Sequence, residues 1–396
     1  MKTISNLIFI ATLVVAFSGC QSPKENLPCL DVSADYPTKE INLADIAKVR
    51  YLHLNSDDQA YLYSGSIQVM STSKVMVADA RSGNILFFSQ DGMPVSHFNH
   101  RGNGPGEYGY AHRVFYDEEA DNVFVVEPTP VNIIHVYSST GEHKRDITLP
   151  EGTMVMNDIV SFDHQSFFFY DISLDHKMVR VNEAGADMPV RDYVASFYRI
   201  SKTNGAVLDS VVLPVTPLFL GIKYNGNRIP GFKNRLIKRQ EGVFICNPEN
   251  DTVFIYNNKK DLTPVISKKP LAPSMDPIAY LNNCVDVGNY QFMQVYTARP
   301  GDKFPGILPA RYYMRNKETG EIVRQKLVSP DYKGKEFFIG PIESRASGLG
   351  NSVLFELKLI ELKEANAQNK LSGKLKELVD TLTDDDNNVF MIVSFE

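Results

Sequence analysis

The chain has 396 residues, 43% of them hydrophobic, which is enough to bury a large core in one big domain or two ordinary ones. Its 41 basic and 47 acidic residues give a formal net charge of −6, so the basic excess that nucleic-acid-binding proteins need is missing. The composition therefore indicates a globular protein and argues against nucleic acid as a partner.

The N-terminal segment has the order of a cleaved export signal. An apolar run over residues 7–17 follows Lys2 and ends just before Cys20, and it is too short to span a bilayer. The cysteine makes residues 1–19 resemble a bacterial lipoprotein signal, with Cys20 lipidated as the mature N-terminus; a secretory signal with an incidental cysteine is the alternative. We expect a cell-envelope protein held on the outer membrane by its lipid, facing either the periplasm or the surface.

The stretch that follows, residues 20–47, is polar and contains prolines, so it predicts a flexible tether between the lipid and the folded domain. Three cysteines remain beyond Cys20, and at most one disulfide can form among them. Cys246 falls in an apparent buried strand. We expect it to be a packed thiol, and a bridge to Cys284 is the alternative.

From residue 48 onward, short apolar runs rich in Val, Ile, Phe and Tyr are bounded by Gly, Asn, Asp and Pro, which is typical of β-strands. The runs are repetitive, with copies at 75–98, 123–147, 196–213, 243–266 and 311–328. The polar turns before the last strand of each copy are at Gly92, Gly141, Gly205, Lys260 and Gly320. This spacing suits a four-stranded sheet, and because one such sheet cannot bury its own faces, the repetition predicts an all-β fold in which sheets stack as the blades of a β-propeller.

A sixth blade has to come from the two ends of the domain. Residues 336–344, 350–358 and 388–396 are predicted as three of its strands and residues 49–54 as the fourth, a closure that removes exposed sheet edges. Helical periodicity is confined to residues 357–382, which predict one helix inserted in the last blade. Its apolar stripe is expected to pack on the propeller, and docking of a partner protein is the alternative.

The stretch "GNGPGEYGYAH" at 102–112 predicts a rigid corner between the first two blades, since it lacks the lysine of a phosphate loop and does not match the dinucleotide motif. A glycine-rich connector, a strand and a D-x-x-x-x-N turn, here Asp79 to Asn84, resemble the NHL repeat. The corner, the inserted helix and the closing "NNVFMIVSFE" make the whole domain, residues 48–396, similar to a family of NHL- or TolB-like six-bladed β-propeller lipoproteins of Gram-negative gut anaerobes. The resemblance implies a cell-envelope propeller and carries over no catalytic residue.

In a propeller, the connectors between blades and the loops between second and third strands emerge on the same face. Those loops are long at about 174–195, at about 297–310 and in the helical insertion, so we expect ligands to bind on this loop-rich face. The candidate ligand-binding residues are Asp79, Arg81, Arg101, Glu107, Tyr108, Glu127, Asp171, Asn247 and Arg299. Each has a structural alternative: the turn residues can cap backbone amides, Glu107 can bond the glycine-rich backbone, and the arginines can be solvated.

His97, His100 and His112 cluster in sequence, but they fall on different strands without a supporting carboxylate, so surface histidines are favoured over a metal site. The patterns G-x-S-x-G and H-E-x-x-H are missing, and with no tryptophan in the chain an aspartate box cannot be completed. We predict no cofactor, no metal and no assigned catalytic residue.

These patterns favour a membrane-anchored propeller lipoprotein that binds a ligand or a partner, either protein or glycan, at the loop-rich face. The alternative is an enzyme of the glycan lyase, glycan hydrolase or lactonase-like kind acting at that same face, because a catalytic pair of carboxylates has no characteristic sequence spacing.

Overall fold

A computed structural model describes residues 27–56, 58–111, 113–127, 133–149, 159–171, 194–214, 221–224, 227–230, 236–248, 250–298 and 310–396. Six small sheets are arranged in a ring, so the predicted six-bladed β-propeller is confirmed. The blades follow one another along the chain, and the last one is completed by a strand from the N-terminal side.

The elements before the first blade are β1 (Cys29–Asp31), β2 (Thr38–Asn42), α1 (Leu43–Ile46) and β3 (Ala47–His53). Blade 1 contains β4 (Ser66–Met70), β5 (Lys74–Asp79), β6 (Asn84–Ser89) and β7 (Pro94–Phe98). Blade 2 contains β8 (Arg113–Asp117), β9 (Asn122–Val126), β10 (Ile133–Tyr137) and β11 (His143–Thr148). Blade 3 contains β12 (Ile159–Ser161), β13 (Ser166–Asp171), β14 (Val194–Ser201) and β15 (Val207–Pro214).

A hairpin of β16 (Gly221–Tyr224) and β17 (Asn227–Pro230) precedes blade 4. Blade 4 contains β18 (Leu236–Arg239), β19 (Gly242–Ile245), β20 (Thr252–Asn257) and β21 (Leu262–Lys269). Blade 5 contains β22 (Ile278–Val287), β23 (Tyr290–Ala298), β24 (Ala310–Asn316), β25 (Ile322–Ser329) and β26 (Tyr332–Phe337). Blade 6 contains β27 (Ser352–Leu357), the helices α2 (Leu359–Ala367) and α3 (Gly373–Val379), β28 (Val389–Phe395) and β3.

The burial of the strands follows from the stacking of the blades. Inner strands such as β5 are buried over almost their whole length, because each blade face is covered by a neighbour. Outer strands such as β25 alternate between buried and half-buried residues. Apolar clusters fill the interfaces between successive blades; Leu52 of blade 6, for example, joins Val75 and Phe88 of blade 1.

The predicted closure of the ring is confirmed, with one difference. β3 pairs antiparallel with β28, so that Ala47 lies opposite Phe395. The predicted strand at 336–344 is wrong, however: β26 ends at Phe337 and pairs with β25, which extends blade 5 rather than starting blade 6. The chain then turns at Pro341, which cannot donate a ladder hydrogen bond.

The expectation of a flexible tether up to residue 47 is wrong from residue 29 onward. β1 adds to blade 4 parallel to β21, and β2 adds to blade 5 parallel to β25. Leu30 and Leu43 are fully buried in the core shared by blades 4 to 6. The outer edges of these blades offer unpaired backbone groups, with which β1 and β2 can pair. The apolar residues dispersed in the segment add side-chain packing that holds it against the blades.

The inserted segment forms α2 and α3 instead of the single predicted helix, and the chain turns between them at Asn369 and Gly373, both with positive φ. Leu362 and Leu375 are fully buried, which confirms that the apolar stripe packs on the propeller, although Ile360 is 69% exposed. Within the described ranges, none of the helices combines the length and apolarity needed to cross a lipid bilayer.

Cys246 and Cys284 are buried free thiols, as expected for packed cysteines. Burial raises the pKa of Cys246 to about 12 and also raises the pKa of Cys284 well above its usual value. Neither thiol is therefore an ionised nucleophile at neutral pH.

Candidate functional site

A polar cleft of about 280 Å³ opens at the junction of blades 6 and 1. Three chain segments build it: the connector from β3 to β4, the turn from β5 to β6, and the residues just before β28. The first is a blade connector, the second is the loop between the second and third strands of blade 1, and the third follows the helical insertion, so the cleft lies on the predicted loop-rich face. The lining residues are Leu62, Tyr63, Ser64, Asp79, Ser82, Asn84, Asp386, Asn387 and Asn388.

Asp79, one of the predicted site residues, forms part of the cleft wall. Its carboxylate accepts the backbone N–H groups of Ser64 at 3.2 Å, Arg81 at 3.0 Å and Ser82 at 3.3 Å. Burial by itself raises the pKa of Asp79, but these amide donors outweigh it and hold the pKa below the usual value. Asp79 therefore caps the β5–β6 turn and presents a negative charge to the cleft.

Asp386 supplies a second carboxylate from the opposite side of the junction. Its Oδ1 accepts from the Ser56 hydroxyl at 2.8 Å and its Oδ2 from the Thr383 backbone N–H at 2.7 Å. Burial raises the pKa of Asp386, yet the donors from Thr383 and Ser56 outweigh it and the pKa is lowered. Both cleft carboxylates are consequently ionised at neutral pH and act as hydrogen-bond acceptors.

Amide and hydroxyl groups complete the lining. Asn388 accepts from the backbone N–H of Leu359 at 2.9 Å, which ties the cleft to the start of α2. The Asn84 side chain accepts from Asn99 at 2.7 Å. Ser64 is exposed, and its hydroxyl has no hydrogen-bond partner among the described residues, so it is available to a ligand.

The corner at 102–112 brings several further predicted residues together between blades 1 and 2. The Arg101 guanidinium donates to the main-chain oxygen of Arg81, and the Tyr108 hydroxyl donates to that of Gly83 at 2.6 Å. Glu107 accepts the Gly104 N–H at 2.7 Å. The side chains of Arg101, Glu107 and Tyr108 thus bond the backbone of the corner and of the adjacent turn, which is the structural alternative that the sequence offered for Glu107.

Glu127, which directly follows β9, belongs to the same region, because its Oε1 accepts the Gly109 N–H at 3.2 Å. Asn247 is buried in blade 4 and does not line the cleft. Asp171 ends β13, but its side chain lies outside the described residues, as do Arg299 and Cys20. Most of the long loops at about 174–195 and 297–310 also falls outside the described residues.

The histidines near the corner contact different neighbours. The His97 ring packs edge-on against Tyr61 at 5.1 Å, whereas the His100 ring stacks on Tyr137 at 5.2 Å and its Nε2 lies 2.6 Å from the Gly141 oxygen. His112 lies outside the described residues. The structure therefore does not bring His97 and His100 together as ligands of one metal.

Several cleft residues were missed from the sequence. Asp386 and Ser64 were not among the predicted site residues, and neither lies in a motif with a recognised function. The D-x-x-x-x-N turn does point to Asn84, and the closure of the ring places the residues before β28 beside blade 1, so the two together could have located the cleft.

The family model described as "Domain of unknown function (DUF4934)" matches residues 27–394 of the chain. The chain belongs to the DUF4934 family. No curated protein sequence matches this DUF4934 protein.

Among solved structures, the DUF4934 protein is similar to a candidate exported protein from Bacteroides fragilis. The two share 14% sequence identity with a TM-score of 0.60, over 93% of this chain and 99% of the other. A member of the DUF4221 family from Bacteroides vulgatus aligns over 89% of this chain and 97% of its own, with 10% identity and a TM-score of 0.45. The first similarity shows that the propeller fold is shared.

Proposed function

We propose that this DUF4934 protein is an exported, lipid-anchored binding module of the cell envelope, and that it holds a small hydroxyl-rich ligand, such as the end of a glycan, in the cleft between blades 6 and 1. The observation that supports this is the composition of the cleft: two ionised carboxylates, amide side chains and serine hydroxyls surround a space of about 280 Å³.

The cleft chemistry favours a neutral polyol over an anion. Carboxylate oxygens of Asp79 and Asp386 accept hydrogen bonds from ligand hydroxyls, while the amide and hydroxyl groups of the lining can both donate and accept. Two negative charges would repel a phosphate or a uronate. The volume is close to the lower end of the range of ligand pockets, about 300–1,000 Å³, and therefore suits a small unit of a longer molecule.

The same carboxylates favour binding over glycoside hydrolysis in this cleft. A glycosidase needs one carboxyl group that stays protonated near neutral pH, and its pKa is raised by an apolar environment. Here the backbone and hydroxyl donors lower the pKa of Asp79 and of Asp386. Neither can therefore serve as the general acid.

Lipid anchoring rests on the signal-like residues 1–19 and on Cys20. Because β1 begins at Cys29, residues 21–28 connect the proposed anchor to the domain, and this segment spans at most about 28 Å when fully extended. The propeller would therefore lie close to the membrane surface, and a ligand would be captured there.

The proposed binding site is tested by filling the cleft with a larger side chain. Ser64→Phe adds a ring at the exposed cleft residue whose own hydroxyl bonds no described group, and Thr203→Phe adds the same ring to the exposed β14–β15 turn on the opposite face. A glycan array followed by titration calorimetry should find a ligand whose affinity falls at least about tenfold, or 1.4 kcal/mol, in Ser64→Phe and is unchanged in Thr203→Phe. Equal binding by Ser64→Phe and wild type would show that the cleft is not the site, and an array without a ligand would contradict a glycan as the ligand.

The anchor is tested separately by fractionation. Wild-type protein should pellet with membranes, and the Cys20→Ala variant should be found in the soluble fraction. Membrane association of the variant would contradict lipid anchoring without affecting the cleft proposal.

A further inference from the structure

A second group of polar side chains lies outside the cleft, on the outer hairpin of blade 2. His135 is on β10, while His143 and Asp146 are on β11. The pairing register places His135 directly opposite Asp146, and a bulge at Val136 and Tyr137 turns His143 toward them. The side chains of neighbouring strands therefore meet on one face of the blade.

The distances within this group are those of converging ligand atoms. His135 Nδ1 lies 2.7 Å from Asp146 Oδ1, and His143 Nε2 lies 2.8 Å from the same oxygen. Each of the three residues offers one ligand atom, and these three atoms all lie within 4.8 Å of one another. Two imidazoles and one carboxylate form the donor set that binds transition metals in many proteins.

The other nitrogen of His135 is already fixed by a buried carboxylate. His135 Nε2 lies 3.2 Å from Glu127 Oε1, and both side chains are more than nine-tenths buried. When a metal ion occupies Nδ1, the ring proton is on Nε2, and the Glu127 carboxylate, which can only accept, lies in position to receive that hydrogen bond. A carboxylate that orients a ligating histidine in this way is the usual outer partner of a metal site.

We propose that His135, His143 and Asp146 bind one divalent transition metal ion, with Zn²⁺ as the best match, and that Glu127 is the positioning residue. Bonds of about 2.0–2.1 Å in a tetrahedral centre place ligand atoms about 3.3 Å apart. Asp146 Oδ1, which lies 2.7 Å and 2.8 Å from the two ring nitrogens, therefore has to move away from each by only about half an ångström. The side chains of His143 and Asp146, which are 37% and 38% exposed, can supply that movement.

The surroundings suit an ion that keeps one position open to solvent. The Gly106 backbone of the corner packs against the His143 ring, and a side chain at that position would meet the ring at about 3.0 Å. The cations that flank the site in sequence are directed elsewhere: Lys144 donates to the Asp121 oxygen and Arg145 to the Lys202 oxygen. Three protein ligands then leave the fourth position of a tetrahedral centre for water or for a ligand atom.

The experiment is a titration of the metal-free full chain with Zn²⁺, in which binding is measured by calorimetry and the stoichiometry by native mass spectrometry. We expect one equivalent to bind tightly to wild type. His143→Ala, at an exposed position, should weaken binding by more than about 100-fold, and His164→Ala, which removes a histidine that is 76% exposed at another place, should leave it unchanged.

Glu127→Gln distinguishes a positioning role from a structural one. The glutamine oxygen can still accept the Gly109 N–H, but its amide would donate to His135 Nε2 and move the ring proton to Nδ1. Zn²⁺ affinity should fall about 10- to 100-fold, while thermal unfolding of the metal-free variant stays close to wild type.

Wild type without one-equivalent binding, or His143→Ala with wild-type affinity, would overturn the proposal. In that case the contacts of His135 with Glu127 and Asp146 form a purely structural hydrogen-bond network. Visible absorption of the Co²⁺-loaded wild type, absent in His143→Ala, would give independent support for the site.

Discussion

The side chain of Asn387 donates to the main-chain oxygen of Leu54 at 3.0 Å, although 333 positions separate the two residues in sequence. The same amide donates to the Tyr61 oxygen at 3.0 Å, and its oxygen accepts the Tyr63 N–H at 3.3 Å. One buried side chain thus satisfies three backbone groups of the connector from blade 6 to blade 1. It closes the ring and forms part of the cleft floor.

Replacing that side chain should weaken the closure. Asn387→Ala leaves the Leu54 and Tyr61 carbonyls without their donor in a buried place, so we expect a loss of about 2–4 kcal/mol in the free energy of unfolding. Urea unfolding followed by circular dichroism measures it. Asn103→Ala at the exposed corner serves as control, and equal stability of the two variants would contradict the role given to Asn387.

The N-terminal strands should contribute to the core. Leu30 is fully buried beside blade 4, so Leu30→Ala is expected to destabilise the protein by about 2–5 kcal/mol. Leu271→Ala, at a residue that is 62% exposed, should cost less than about 0.5 kcal/mol. If Leu30→Ala were as stable as Leu271→Ala, residues 29–47 would be a tether after all.

Gly102, at the start of the corner, is expected to be required because of its contact with one side chain, that of Glu107. A Cβ at Gly102 would overlap the carboxylate of Glu107, so Gly102→Ala should cost about 1–3 kcal/mol. In a Glu107→Ala background the overlap is gone, and the same change should cost much less. A double-mutant cycle from thermal unfolding gives the coupling energy. Additive effects would mean that Gly102 is required for another reason.

Lys202 should make the free energy of unfolding depend on pH in the alkaline range. Its ammonium is buried over the rings of Phe124 and Phe167 and donates to the Ser161 hydroxyl at 2.7 Å. Burial lowers the pKa of Lys202 to about 8, against 10.5 for an ordinary lysine, so between these values the unfolded chain holds more protons than the folded one. Stability contributed at this site therefore rises with pH across that window.

The measurement compares wild type with Lys202→Met by urea unfolding at several pH values. Wild type should gain up to about 3 kcal/mol relative to the variant between pH 7.5 and pH 10.5, since other titrating groups cancel in the difference. The exposed residue Lys259, changed to Met, should show no such trend relative to wild type. A constant difference between wild type and Lys202→Met would contradict the lowered pKa.

The fold was largely predictable because its signals are local. Strand alternation, turn glycines such as Gly92 and Gly141, and a recurring length between them all lie within one blade. The closure of the ring followed from counting strands, because a blade with an unpaired edge needs a partner from the other end of the chain. The corner at 102–112 was also identified correctly as a turn, because glycine-rich backbone without a phosphate motif has few other uses.

What the sequence alone determined is therefore the six-bladed ring and the face on which its loops emerge. Only the tertiary structure decided the cleft, the packing of β1 and β2 on blades 4 and 5, the break between α2 and α3, and the meeting of His135, His143 and Asp146. Each of these depends on which side chains from distant segments or neighbouring strands come within bonding distance. Such contacts are set by the register and packing of the blades. The identities of the contacting residues do not reveal that register or packing.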